Sequence, residues 1–171
     1  MIPIPAIDLK DGKVVRLLQG NFKEEKAYFD KPEEVARRFE ADGALRIHVV
    51  DLDGALKGEP KNTRFVERIL KAVTIPVELG GGIRSLKAAE NYLAMGVRWV
   101  IFGTKACLDF GFLSEVVAEF KEKAIAGVDA RNGFIATDGW TKTTKINAVG
   151  FIKEFEKLGG QTVIYTDISK D

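Results

Sequence analysis

Short apolar runs alternate with longer stretches in which apolar residues recur every three or four positions, and the alternation continues along the whole chain. The runs at 2–8, 45–51, 75–79, 98–103, 124–129 and 161–166 are rich in Ile, Val or Phe and short enough to be strands buried on both faces. Between them the period changes to that of a helix. "PEEVARRFEADG" has Pro32 in its first turn and Gly43 past its end, and "RSLKAAENYLAMG" runs from a Ser85 N-cap to Gly96. Further helices are expected near 61–73, 109–121 and 146–158. Strand and helix in strict turn predict parallel strands joined by right-handed crossovers, an α/β fold.

The chain also repeats itself. "IDLKDGKVV" (7–15) lies over "VDARNGFIA" (128–136), with Asp8 over Asp129, and "RFEADGALRIHVVDLD" (38–53) lies over "EFEKLGGQTVIYTDIS" (154–169), with Asp51 over Asp167. The offset falls from 121 to 116 residues, and that change sits in the intervening loop. In the first pair the strand-end aspartate is followed by Asp-Gly or Asn-Gly, which favour a type I′ hairpin turn. Four βα units separate the two copies, so two repeats make eight strands. The expected architecture is a (βα)8 barrel of TIM type, with strand-end residues gathered at the face where active sites collect. Copying the first half onto the second predicts about 240 residues for a whole barrel. Residues 1–171 then form a single partial barrel domain covering about strands one to six.

Composition narrows the function classes. Twenty-six basic and 25 acidic residues leave a net charge of +1, with 46% hydrophobic residues, so nothing global argues for a nucleic-acid or membrane partner. The N-terminus has neither a basic region nor a long apolar one, and no run reaches a membrane span. The lone Cys107 cannot form an internal disulfide, and with the lone His48 it cannot build an ordinary zinc site, so no metal is expected and the cytoplasm is the simple location.

"VELGGGIRS" (77–85) places Gly80, Gly81 and Gly82 between a strand and a helix start. Backbone N–H groups there can close around an anion, helped by the dipole of the helix beginning at Ser85, and a phosphate is the expected visitor. "VIFGTKA" repeats the idea in the next unit with Gly103 and the hydroxyl and amide of Thr104. The alternative is that the glycines serve a tight turn and Thr104 caps a helix. Asp8 and Asp129 occupy equivalent strand ends and suit a base and an acid flanking one substrate; the alternative is that each braces its own loop. Asp51 and Asp167 sit at the even-numbered strand ends, with Thr166 and Asp171 beside the second of them, and His48 reads as a hydrogen-bonded core histidine.

Taken in order, "PAIDLKDGKVVRLLQG", "HVVDLDGA", "ELGGGIRS", "FGTKA", "GVDARNG" with the following "GW", and "YTDISKD" resemble the phosphoribosylformimino-5-aminoimidazole carboxamide ribotide isomerases, sugar isomerases of histidine biosynthesis. The resemblance spans the chain. The cyclase subunits of imidazole glycerol phosphate synthase share the half-barrel repeat, but usually carry a Cys before the first aspartate and a Lys at the hairpin, where this chain has Ala6, Ile7 and Arg16. The resemblance implies an Amadori rearrangement of an aminoaldose to an aminoketose without metal or organic cofactor, on a small bis-phosphorylated substrate. It makes Asp129 the general acid, Asp8 the general base and Thr166 the residue that orients the acid or the sugar hydroxyls. It gives Gly81, Gly82 and Thr104 to a phosphate and Trp140 to stacking on the aminoimidazole, with Arg16, Gln19, Arg84 and Asp171 as further ligand contacts. The second phosphate loop is expected after a seventh strand. A chain ending after the sixth strand is expected to leave two strand edges unpaired, to self-associate through them or be unstable alone, and to lack turnover. A cyclase-type lyase and a non-catalytic barrel fragment stand as the other readings.

Overall fold

A computed structural model describes residues 1–18 and 21–170. Two compact units divide at Val100/Ile101. The first holds β1 (Ala6–Lys10), β2 (Lys13–Leu18), β3 (Asn21–Phe29), α1 (Pro32–Ala41), β4 (Ile47–Asp51), α2 (Leu52–Lys57), α3 (Thr63–Ala72), β5 (Val77–Gly80) and α4 (Leu86–Met95), and β6 (Trp99–Phe102) runs across the division. β1, β4, β5 and β6 pair in parallel, while β2 and β3 fold back antiparallel beside β1. The expected ends of α1 and α4 form: Pro32 opens α1, Ser85 Oγ accepts from the Ala88 amide at the start of α4, and Gly96 closes α4 at φ 113°.

The second unit holds α5 (Thr104–Leu108), α6 (Phe110–Phe120), β7 (Ala124–Arg131), β8 (Phe134–Thr137), β9 (Lys142–Asn147), α7 (Ala148–Lys157) and β10 (Thr162–Asp167). β10 pairs with β7 in parallel, and β8 and β9 are antiparallel additions. Its core is aromatic: Phe102 meets Phe112 edge-on at 6.0 Å and stacks on Phe120 at 5.9 Å. The α/β fold is of the (βα)8-barrel type, carried through six barrel strands, β1, β4, β5, β6, β7 and β10.

Both expected turns form. Asp11 and Gly12 have φ of 48° and 76° between the paired Lys10 and Lys13. Asn132 and Gly133 have φ of 52° and 80° between the paired Arg131 and Phe134. Positive φ at both central residues is the type I′ geometry, so the repeat seen in sequence is a repeat of β-hairpins.

Two expectations are corrected, and three elements were not expected. The first strand begins at Ala6, not residue 2, because Pro3 and Pro5 remove two ladder donors; Ile2 and Ile4 are exposed. Burial on both faces holds for β5, whereas β1 and β4 alternate and β10 stays largely open, with Tyr165 at 50% exposure. The short helices α2 and α5 and the strand β3 had no clear periodic signal; contact with neighbouring elements stabilises them.

Candidate active-site residues and the loops that hold them

Register decides which strand-end residues share a face. Asp8 pairs with Val50, and Val50 with Gly80, so the ends of β1, β4 and β5 stand level. Ile7 pairs with Val49 and Leu9 with Asp51, and all four are fully buried on the face against which α1 and α2 pack. Asp8, one residue out of phase, is half-buried on the other face. Asp51 and Asp8 therefore point away from each other although both end a strand.

Asp51 is consumed by its own loop. Its Oδ1 accepts from the Gly54 amide at 2.8 Å and from Asn62 Nδ2 at 2.7 Å, and its Oδ2 accepts from the amides of Lys61 at 2.7 Å and Asn62 at 2.9 Å. It caps α2 and draws in the segment before α3. Asn62, 3% exposed, goes further: its Nδ2 also reaches Asp53 Oδ2 at 2.7 Å, and its Oδ1 accepts from the Gly12 amide at 3.0 Å. Asp53 Oδ2 in turn accepts from the Asp11 amide at 2.7 Å. Sequence reasoning passed over Asn62; the available signal was an Asn directly before a helix.

The structure shows what crowds the glycines. A Cβ on Gly81 would lie 2.2 Å from the Asp51 carbonyl oxygen, and one on Gly82 would lie 2.8 Å from the Gly54 and Glu59 backbones. Both have positive φ, 98° and 74°. The chain's own backbone, at the end of β4 for Gly81 and in and after α2 for Gly82, thus requires glycine at these positions, whether or not an anion also comes. Arg84 lies over Gly58 and donates to the Ala55 carbonyl at 3.4 Å, at the C-terminal end of α2, where a cation is favourable. Arg16 is exposed on β2. Gln19 and Asp171 lie outside the described residues.

In the second unit Asp129 pairs in register with Thr166, so the two project side by side, both half-buried. Asp167, next along β10, bonds the Ser169 amide and hydroxyl at 3.0 and 2.7 Å and braces its loop as Asp51 does. Thr104 opens α5, and its Oγ1 accepts from the Asp138 amide at 3.2 Å. That bond holds the β8–β9 loop, where Asp138, Gly139 and Trp140 have φ of 54°, 63° and 69°. Trp140 is half-buried there. Cys107 is buried, and its thiol is pushed up to about 12 by burial and then by the Asp129 charge, so it stays protonated and is no nucleophile near neutrality.

His48 is hydrogen-bonded, as expected, but half-buried on its strand and not a core residue. Its Nδ1 lies 2.6 Å from Glu78 Oε1, the other Glu78 oxygen contacts Arg46, and Arg46 lies 3.9 Å over the Trp99 ring. Burial, then the Arg46 charge, lowers the His48 pKa from 6.5 to about 4. A neutral Nδ1–H still donates to Glu78, so the contact does not need the imidazolium. Because the folded value lies below the unfolded one, the unfolded chain binds the extra proton between pH 6.5 and 4, and stability falls as pH drops through that window. Urea unfolding is expected to show wild type losing about 2 kcal/mol more than His48→Gln between pH 7 and pH 5. Equal losses in the two proteins would refute the assignment.

Among the described residues no helix is long and apolar enough to cross a membrane, and no three His, Cys, Asp or Glu side chains are grouped to hold a metal ion. Residues 2–171 match the family model described as histidine biosynthesis protein. The chain is 49% identical over 171 residues to an Oceanobacillus iheyensis protein named 1-(5-phosphoribosyl)-5-((5-phosphoribosylamino)methylideneamino) imidazole-4-carboxamide isomerase, covering 100% of this chain and 71% of that protein. Proteins of the same name from Bacillus cereus and Bacillus anthracis are 53% identical over 167 residues, covering 98% of this chain and 70% of their own length.

Proposed function

This chain belongs to the histidine biosynthesis protein family, and we propose that it catalyses, in the cytoplasm, the isomerisation its relatives are named for: conversion of the bis-phosphorylated aminoaldose, with its two phosphoribosyl groups, to the aminoketose. The observation that carries this reading is the 49% identity sustained over all 171 residues. In the proposed reaction Asp129 protonates the ribose ring oxygen, the C1′–O bond breaks, and C1′ becomes a Schiff base. Asp8 removes the C2′ proton, and the electron pair of that bond forms the C1′–C2′ double bond of an enol. Ketonisation moves a proton to C1′ and releases the one on the 2′ oxygen. C1′ is reduced and C2′ oxidised within one molecule, so atoms and electrons balance without another reactant.

The remaining assignments rest on the resemblance of these motifs to the family. Thr166, in register beside Asp129, orients the acid or a sugar hydroxyl. Gly81 and Gly82 offer backbone amides to a phosphate near the start of α4, Thr104 offers its hydroxyl and amide, and Arg84 adds charge beside the glycine loop. Trp140 stacks on the aminoimidazole ring, and Arg16, Gln19 and Asp171 supply further contacts.

Product analysis tests the reading. The named aminoaldose is incubated with the 171-residue chain, and with a version extended to the relatives' length by the C-terminal segment of the Oceanobacillus protein. The aminoketose is expected with the extended version. A cyclised imidazole product would support a cyclase-type lyase instead, and unchanged substrate with both proteins would overturn the enzymatic reading.

A further inference from the structure

We infer that Asn62 is a positioning residue for the β1–β2 hairpin, which carries Asp8 and Arg16; the functional part of this inference rests on Asp8 being the general base. Asn62 sits where three segments meet: the Asp11-Gly12 turn, the start of α2 and the start of α3. Two carboxylates, those of Asp51 and Asp53, converge on its Nδ2, and one amide, that of Gly12, converges on its Oδ1. A carboxamide is the short side chain that offers N–H donors and a carbonyl acceptor together, and at 3% exposure there is little solvent to substitute for either. An Asp there would set a third carboxylate against the other two, and a Ser would reach too few partners.

The turn is tied at both central residues, Asp11 through Asp53 and Gly12 through Asn62, and Phe65 of α3 fills the space that a Gly12 side chain would need. β4 supports β1 as far as the Leu9–Asp51 pair and no further. Beyond it, the path of the hairpin leans on this clamp, and with it the placement of Arg16 and of Val15, the β2 residue paired with Asp8. The same Asp51 that Asn62 holds is packed by its backbone against Gly81. The clamp thus sets the hairpin against the glycine loop, and displacement of a catalytic group by about 1 Å can cost roughly 10²-fold in rate.

Readouts without turnover decide the point in the 171-residue chain. Hydrogen exchange at the Asp11 and Gly12 amides and the carbon-13 titration of the Asp8 carboxyl are measured in wild type, Asn62→Ser and Asp53→Ala. Faster exchange at both amides and a shifted Asp8 titration are expected in Asn62→Ser; in Asp53→Ala, which removes the acceptor of the Asp11 amide, the larger change is expected at Asp11 and a smaller one at Gly12 and in the Asp8 titration. Exchange at the Phe112 amide, capped by Asp109 in the second unit, should stay unchanged. In the extended protein, kcat should fall about 10²-fold with KM little changed. A role confined to stability would lower the melting temperature alone. Unchanged exchange and an unchanged Asp8 titration in a folded variant overturn the inference, and if Asn62→Ser does not fold, Asp53→Ala decides by the same criteria. Normal kcat in Asp8→Asn would instead overturn the acid–base reading, a separate result.

Discussion

Replacing Asp129 with Asn, or Asp8 with Asn, is expected to lower kcat by about 10² to 10⁴-fold in the extended protein while leaving substrate affinity nearly unchanged. Each change keeps the shape of the side chain and removes its ability to give or take a proton. Its effect therefore falls on the transition state, not on the bound substrate. Steady-state kinetics with calorimetric binding separates the two quantities. The repeat makes the pair informative: Asp8 and Asp129 each lie three residues before a type I′ turn on a parallel strand. Asp51 and Asp167 bond backbone groups of their own loops. Asp51→Asn should accordingly cost stability before it costs chemistry. Near-normal kcat in either Asp8→Asn or Asp129→Asn removes that residue from the mechanism.

Gly81→Ala is expected to destabilise the fold by about 3–5 kcal/mol, most of the stability of a small domain at the lower end of the usual range. Two costs add: an L-residue is forced to φ 98°, and its Cβ would press on the Asp51 backbone at 2.2 Å. Gly43→Ala isolates the first cost, since Gly43 has φ 91° with nothing within 4 Å of the added Cβ. About 1 kcal/mol is expected there. Urea unfolding of the two variants measures the difference, and equal destabilisation would mean that the Asp51 backbone does not press on Gly81. The same geometry makes substitution of Gly82 unsuitable as a probe of phosphate binding, because its Cβ would strike the Gly54 and Glu59 backbones before any ligand was met.

Much of this protein is written locally. The order of the six parallel strands and the longer helices follows from apolar periodicity, and the ends of α1 and α4 from Pro32, Ser85 and Gly96, each acting within a turn of its own position. The two hairpins follow from Asp-Gly and Asn-Gly, whose backbones accept positive φ cheaply, and comparing the halves of the chain was enough to make Asp8 and Asp129 equivalents. What the sequence could not contain was phase between strands. Leu9 opposite Asp51 turns one aspartate toward the helices and leaves Asp8 on the other face, and that register is a contact between residues 42 apart along the chain. The same holds for the Asp51 backbone that excludes a side chain from Gly81, for Glu78 beside His48, and for the turn and two loops gathered by Asn62. Periodicity and turn chemistry are properties of neighbours in sequence, so they can be read in order. Which atoms press or bond across the fold depends on how separate elements pack, and only the tertiary structure decides that.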